Sequence, residues 1–492
     1  MRKVKKVLSG LGVILAVVIL IVMVKTYAKS SNQMQVKPIS GVDVNLESIV
    51  NSLSIAIRSK TISTQHGKIT NGDQFKSLQA HLKRRYPLFH STLKEEVVNG
   101  YSLIYKWEGT NPNANPIAFM AHQDVVPISP GTEDKWEVAP FDGIIRDGFV
   151  WGRGAWDNKS NLITQHEAVE ALLKSGFKPK RSIYFIFGAD EEVSGLTGAK
   201  PIAELFADRK VRFDFVLDEG LLIMKGAMPG VKAPTALIGI AEKGYLSVKL
   251  AIDTAPGHSS MPPEKGTSAL AQLSAALVKL DQNPMPGEIQ GVVAQMLNSV
   301  SPEMSGAMRV VMSNLWLFEP IVKSQFEKNR STNAMLRTTT ALTIVNGGDK
   351  ENVLPGHAEA VVNFRLLPGD TDQTVIDFVK RTIKNDNIKV SPLGGYSKPS
   401  KVSSTESESY LALSQAIREL FPEAVVVPSL MIAATDSRYM DDVSNNVFRF
   451  SPVIATNEDL SRFHGTNERI SIENLGQMVK FYYRLIELTA TK

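Results

Sequence analysis

The chain has 492 residues, and its 43% hydrophobic and 21% charged side chains exclude a disordered or collagen-like polymer. It has no cysteine, which excludes disulfides, thiol nucleophiles, iron–sulfur clusters and cysteine-ligated zinc. Its formal charge is +5, but six of the 55 basic residues precede position 30 with no acid among them, and the other 49 face 50 acids, so the body offers no electrostatic case for binding nucleic acid.

In chain order, Arg2, Lys3, Lys5 and Lys6 lead into an apolar run over 7–24. As a helix at ~1.5 Å per residue it is long enough to cross the ~30 Å hydrocarbon core of a bilayer. The preceding charges favour a cytoplasmic N-terminus, with the body outside the cytoplasm. A retained transmembrane anchor over 1–29 is the first reading. A secretion signal cleaved after Thr26-Tyr27-Ala28 is the alternative. The polar stretch 30–45 reads as a linker. Residues 116–121, 182–188 and 213–217 read as buried strands, and 161–174 as a helix. Helices between short apolar strands predict an α/β domain with a mostly parallel sheet, begun by 46–242. From 243 to 397 the order changes to β-α-β-β-α-β: strand 245–252, helix 268–280, strands 341–345 and 358–366, helix 371–383 and strand 388–391. That order predicts an inserted ferredoxin-like lid, with a long Met-, Asn- and Pro-rich insert over 283–337. Residues 398–492 return to the first domain with helix 407–420, strand 424–427 and a final helix 472–489.

The chain has no G-x-S-x-G elbow, phosphate-binding loop or H-E-x-x-H helix. His166-Glu167 lacks the second histidine and reads as helix surface. Acids and histidines instead follow predicted strands or precede a helix: His122-Gln123-Asp124, the segment 151–159, Asp190-Glu191-Glu192 and Asp218-Glu219-Gly220. Ligands collect at the carboxyl ends of strands in open α/β sheets. With no cysteine, a His/Asp/Glu set suits Zn²⁺, Co²⁺ or Mn²⁺. Asp124, two residues from His122, is placed to orient its ring.

In sequence, MAHQDVVP (120–127), WEVAPFDG (136–143), WGRGAWDNK (151–159), GADEEVSG (188–195), LDEG (217–220), GHSSMPP (257–263), NVLPG (352–356), ATDSRYM (434–440) and FHGTNERI (463–470) resemble the dizinc exopeptidases. These include aminoacylase, glutamate carboxypeptidase and succinyl-diaminopimelate desuccinylase. The nearest likeness is to carboxypeptidase S and related N-acyl-amino-acid hydrolases, over about 45–490. The resemblance implies two Zn²⁺ per chain, one on His122 and Asp218, the other on Glu192 and His464, with Asp157 bridging. It implies Glu191 as general base and the lid residue His258 as oxyanion donor. Asn352 and Arg365, and Arg438 as a further candidate, would hold a substrate carboxylate. The implied substrate is a small peptide or an N-acyl amino acid. A homodimer through the lid would let His258 act in cis or in trans. A non-catalytic binding protein that kept this fold is the rival reading.

Overall fold

A computed structural model describes residues 2–491. An eight-stranded sheet carries the main domain. Its order is Lys94–Val98, Ser102–Trp107, Ile183–Gly188, Ile117–His122, Phe213–Met224, Ser444–Ala455, Thr235–Glu242 and Val425–Met431. The central strands Ile183–Gly188, Ile117–His122, Phe213–Met224 and Ser444–Ala455 are parallel, so their carboxyl ends lie along one edge. Every residue of Ile117–His122 is buried, as expected for a strand covered on both faces. Helix Lys159–Lys174 covers one face and packs against Leu46–Arg58 and Ile472–Ala490. Side-chain caps start the last two: Asn45 accepts from the Ser48 N–H, and Ser471 from the Asn474 N–H.

The sequence reading places His166 on a helix surface; the structure corrects this. His166 is buried, its ring centroid 4.3 Å from that of Phe89 and 5.0 Å from that of Phe187. Its Nδ1 lies 2.7 Å from the Leu162 carbonyl. The helix is buried nearly all round, so it has no polar face for His166 to occupy.

The lid follows the expected order. Its four-stranded antiparallel sheet runs Thr339–Gly347, His357–Leu366, Gly244–Asp253 and Lys389–Ser397. Leu246, Val248, Leu250 and Ile252 alternate into a core shared with helices Ala269–Gln282 and Asp372–Ile383. The insert packs elsewhere. Helix Gly291–Val300 lies against Val425–Met431, the last strand of the main sheet, and Val293, Met296 and Leu297 share a core with Val425 and Val427. The linker is docked: Gln33 exchanges two hydrogen bonds with the backbone of Val426. The N-terminal helix Arg2–Ala28 has one apolar window, over Lys3–Ala28, long enough to cross a membrane.

Candidate active site

Five segments bring their acids and histidines together at the carboxyl edge of the central strands. His122 ends its strand. Its Nε2 lies 3.0 Å from Asp157 Oδ1 and 3.3 Å from Glu219 Oε1. The other Asp157 oxygen, Oδ2, lies 3.1 Å from His464 Nε2, which is also 3.1 Å from Glu192 Oε2. One carboxylate thus serves a histidine on each oxygen. Two groups result, His122–Asp157–Glu219 and Asp157–Glu192–His464, each with donor atoms within 4.8 Å of one another.

Asp218 is the residue expected in the first group, and the geometry assigns that place to Glu219. Asp218 accepts from the Glu219 N–H at 2.9 Å and the Ser437 N–H at 2.9 Å, which turns its carboxylate into the backbone. The cause is a bulge. Arg449 pairs with Asp218 but Phe450 pairs with Leu221, so Glu219 and Gly220 lie outside the ladder. Gly220 has φ +142°, and a Cβ there would press on Arg449; glycine tolerates both.

The cluster is held from behind. The two Asp124 oxygens accept from the Glu191 and Glu192 N–H groups, both at 3.1 Å. The Asp124 carbonyl lies 2.9 Å from His122 Nδ1 and its carboxylate 3.3 Å, so Asp124 orients the ring and fixes the two glutamates. Glu468 and Arg153, unassigned from the sequence, form a second clasp. Glu468 Oε1 accepts from the N–H groups of Gly154, Trp156 and Asp157 at 2.9–3.0 Å. Its Oε2 meets Arg153 Nη1 at 2.7 Å. Arg153 Nη2 in turn donates to the carbonyls of His464 and Gly465. His464 has φ +54°, a backbone state uncommon for a residue with a side chain, and the clasp holds it there. The only sequence signal for the pair was its presence inside two quoted motifs.

Burial, and like charge after it, raise the proton affinity of the cluster's glutamates. Burial, beside Asp157, pushes the Glu192 carboxyl up to about 7. Burial with the same neighbour pushes Glu219 up to about 8. Glu191 is raised well above the usual carboxylate range by burial, with Asp436, Glu192 and Glu219 adding like charge. Ion pairing with Asp157 and Glu192 lifts His464 to about 10. Glu192 Oε1 is buried with no hydrogen-bond partner among the described residues. These oxygen and nitrogen donors, with a buried carboxylate oxygen free, fit divalent cations of the zinc type.

The expected substrate residues separate into two places. His258 is exposed and pairs with Val353 in a two-residue ribbon, and the Ser259 N–H donates to the Asn352 carbonyl. Both therefore sit at one tip of the lid. Arg365 is at the other end of strand His357–Leu366, opposite Tyr245, about 27 Å from the tip end at ~3.4 Å per residue. The structure does not bring Asn352 and Arg365 together. Arg365 instead lies within electrostatic range of Arg438, and Arg438 within range of Glu191, Asp436 and Glu242. Arg438 Nη2 is buried with no hydrogen-bond partner among the described residues. Asp436 is wedged against Gly188 and Gly195, where a Cβ would push on its carboxylate oxygens.

A mostly parallel α/β sheet with a ferredoxin-like lid and this donor cluster defines a metallohydrolase. The chain belongs to peptidase family M20/M25/M40, whose sequence model matches residues 118–488. It is 40% identical over 96% of its length to probable carboxypeptidase S-like 2 of Dictyostelium discoideum, covering 92% of that protein. It is 39% identical over 89% of its length to N-fatty-acyl-amino acid synthase/hydrolase PM20D1 of Mus musculus, covering 87% of it. Among solved structures, the fold matches an M20 family metallo-carboxypeptidase of Sulfolobus solfataricus with a TM-score of 0.62 at 19% identity, over 91% of this chain and 99% of that one. Human carnosine dipeptidase 1 matches with a TM-score of 0.59 at 18% identity, over 90% and 96%. The protein is a metal-dependent amide hydrolase of the carboxypeptidase or aminoacylase type. The reading as a non-catalytic binding protein is set aside.

Proposed function

We propose that this enzyme cleaves the amide bond next to a free carboxylate in N-acyl amino acids and short peptides, using two divalent cations, zinc as the first choice. The carrying observation is the Asp157 carboxylate with one histidine on each oxygen. His122 and Glu219 would complete one metal position, and Glu192 and His464 the other. Bound there, the cations supply a polarised scissile carbonyl and a water acidic enough to attack near neutral pH. Glu191, fixed through its own N–H by Asp124, takes up the water's proton and returns it to the leaving amine nitrogen. Arg438, with Arg365 nearby, offers an unpartnered guanidinium N–H to the substrate carboxylate. Two relatives named as N-fatty-acyl-amino acid enzymes support an apolar acyl group.

His258 donates to the developing oxyanion. It is exposed at the lid tip, so it reaches a reacting centre by lid closure or from the lid of a second copy. The lid strand Thr339–Gly347 exposes Leu342, Ile344 and Val345, a surface suited to pairing two lids. The Lys3–Ala28 helix serves as a retained anchor with the body outside the cytoplasm; cleaved secretion is the second reading.

The test is a substrate panel on the full chain. N-acyl amino acids and dipeptides should turn over, a chelator should abolish turnover, and amidating the substrate carboxylate should lower kcat/KM more than kcat. Equal rates on free and amidated substrates would remove the carboxylate pocket from this account.

A further inference from the structure

The N-terminal helix is gripped by the insert, and the grip falls in its last two turns. Val22 and Thr26 are its buried residues in that stretch. The buried side chain of Asn314 donates to the Val22 carbonyl at 3.2 Å and to Thr26 Oγ1 at 2.9 Å. Just beyond, Lys29 Nζ reaches Asn298 and Ser301 at 3.2 and 3.3 Å, and Arg309 donates to the Lys29 carbonyl. From Val22 to Thr26 is about 6 Å along a helix. The insert is therefore clamped within one turn of where the apolar run stops, at Val24-Lys25.

The helix that follows Asn314 faces outward with apolar residues. In Leu315–Lys328, Trp316, Leu317, Pro320 and Ile321 are exposed, a stripe at i, i+1, i+4 and i+5 over its first turns. Trp316 is 51% exposed and Ile321 58%. Lys25 Nζ stands 5.0 Å above the Trp316 ring, and the Arg309 guanidinium lies 5.8 Å from the Tyr27 ring. Aromatic rings beside cations, at the end of an apolar span, is the composition of the headgroup layer of a bilayer. An exposed apolar stripe on a surface helix otherwise calls for a partner. Here the anchor sets the partner's position: if the Lys3–Ala28 helix crosses a membrane, Asn314 holds the first turns of the next helix at that membrane's surface.

We infer that the insert is a membrane-contacting platform, with Trp316, Leu317 and Ile321 lying in the interface of the bilayer that the N-terminal helix crosses. The anchor and platform together would fix the height and orientation of the catalytic body. This rests on the anchor reading of the preceding section, and the test separates the two.

Tryptophan fluorescence provides that test. Trp107, Trp136, Trp151 and Trp156 are all buried, which leaves Trp316 as the tryptophan that lipid can reach. The full chain is reconstituted into phosphatidylcholine vesicles with or without brominated acyl chains, and flotation is measured on the same samples. The expected result is that the chain floats and bromolipid quenches a component of its emission that Trp316→Phe lacks. A second variant, Leu317→Glu, should still float through its anchor but show weaker quenching of Trp316. If the chain floats while wild type and Trp316→Phe are quenched equally, or neither is quenched, the platform is refuted and the anchor stands. If the chain does not float, the anchor reading and the platform both fall.

Discussion

The main sheet and the lid sheet of this enzyme are both covered by helices, yet they hold their functional residues differently. At the main sheet, His122 and Asp157 are fixed by several partners, Glu191 and Glu192 hang from Asp124, and Glu468 gathers three backbone N–H groups. At the lid tip, His258 is exposed, and among the described residues its ring hydrogen-bonds only with Ser260, at 2.8 Å from the hydroxyl. Groups that must be in place before substrate arrives are over-determined, while a group that arrives with closure is left free to move.

The sharpest way to break that contrast is to disable each region chemically without unfolding it. Glu191→Gln should retain bound metal and lose about 10²–10⁴-fold in kcat, measured by elemental analysis and steady-state turnover on one sample. Unchanged kcat in a metal-loaded variant would remove Glu191 from the mechanism. His258→Ala should cost about 10²–10³-fold in kcat with almost no change in Tm, because the side chain is exposed. A Tm drop comparable to a core mutation would show that the tip is structural.

Glu468→Gln sharpens the comparison from the other side. It leaves the Arg153 charge buried without its partner, so both Tm and metal affinity should fall, the latter by about 10–100-fold. Titration with a competing chelator reads the affinity directly. The smallest effect concerns acid. Burial pulls His90 down to about 4 and His166 down to about 3, so both stay neutral in the fold while the unfolded chain takes up protons below about pH 6.5. Their contribution to stability is therefore full above about pH 6.5 and declines as pH falls towards 4. Thermal melts across that window should show the decline, and His90→Phe should flatten it.

Much of the main sheet was legible because its central strands are unbroken apolar runs, as in residues 117–121 and 182–188. Strand Ser444–Ala455 was not. Arg449 stands in its middle, and only the fold shows that Glu242, 207 residues earlier, meets it at 2.8 Å with both side chains buried. The lid was legible through its alternating pattern, but the insert's docking on the main sheet was not, since nothing local says which strand a helix will cover. At the site, His122, Asp157 and Glu192 carried motif signals. The choice between Asp218 and Glu219 did not, because adjacent residues on a strand face opposite ways and the bulge at Gly220 decides which points inward. Glu468 stood inside a quoted motif with no role assigned; its value lies in three N–H groups from a loop more than 300 residues away.

The position of helix Gly291–Val300 on the last strand of the main sheet bears on solubility. An open sheet ends in rows of unpaired backbone groups that invite a neighbouring chain to add a strand. At one margin, Lys94–Val98 carries Lys94, Glu95 and Glu96 and is largely exposed, so charge discourages such pairing. At the other margin, Val425–Met431 is buried along nearly its whole length and carries no charge at all. The insert and the linker residue Gln33 lie over it. Deleting the insert to obtain a minimal enzyme would bare an apolar strand edge, and the product would aggregate before its chemistry could be measured.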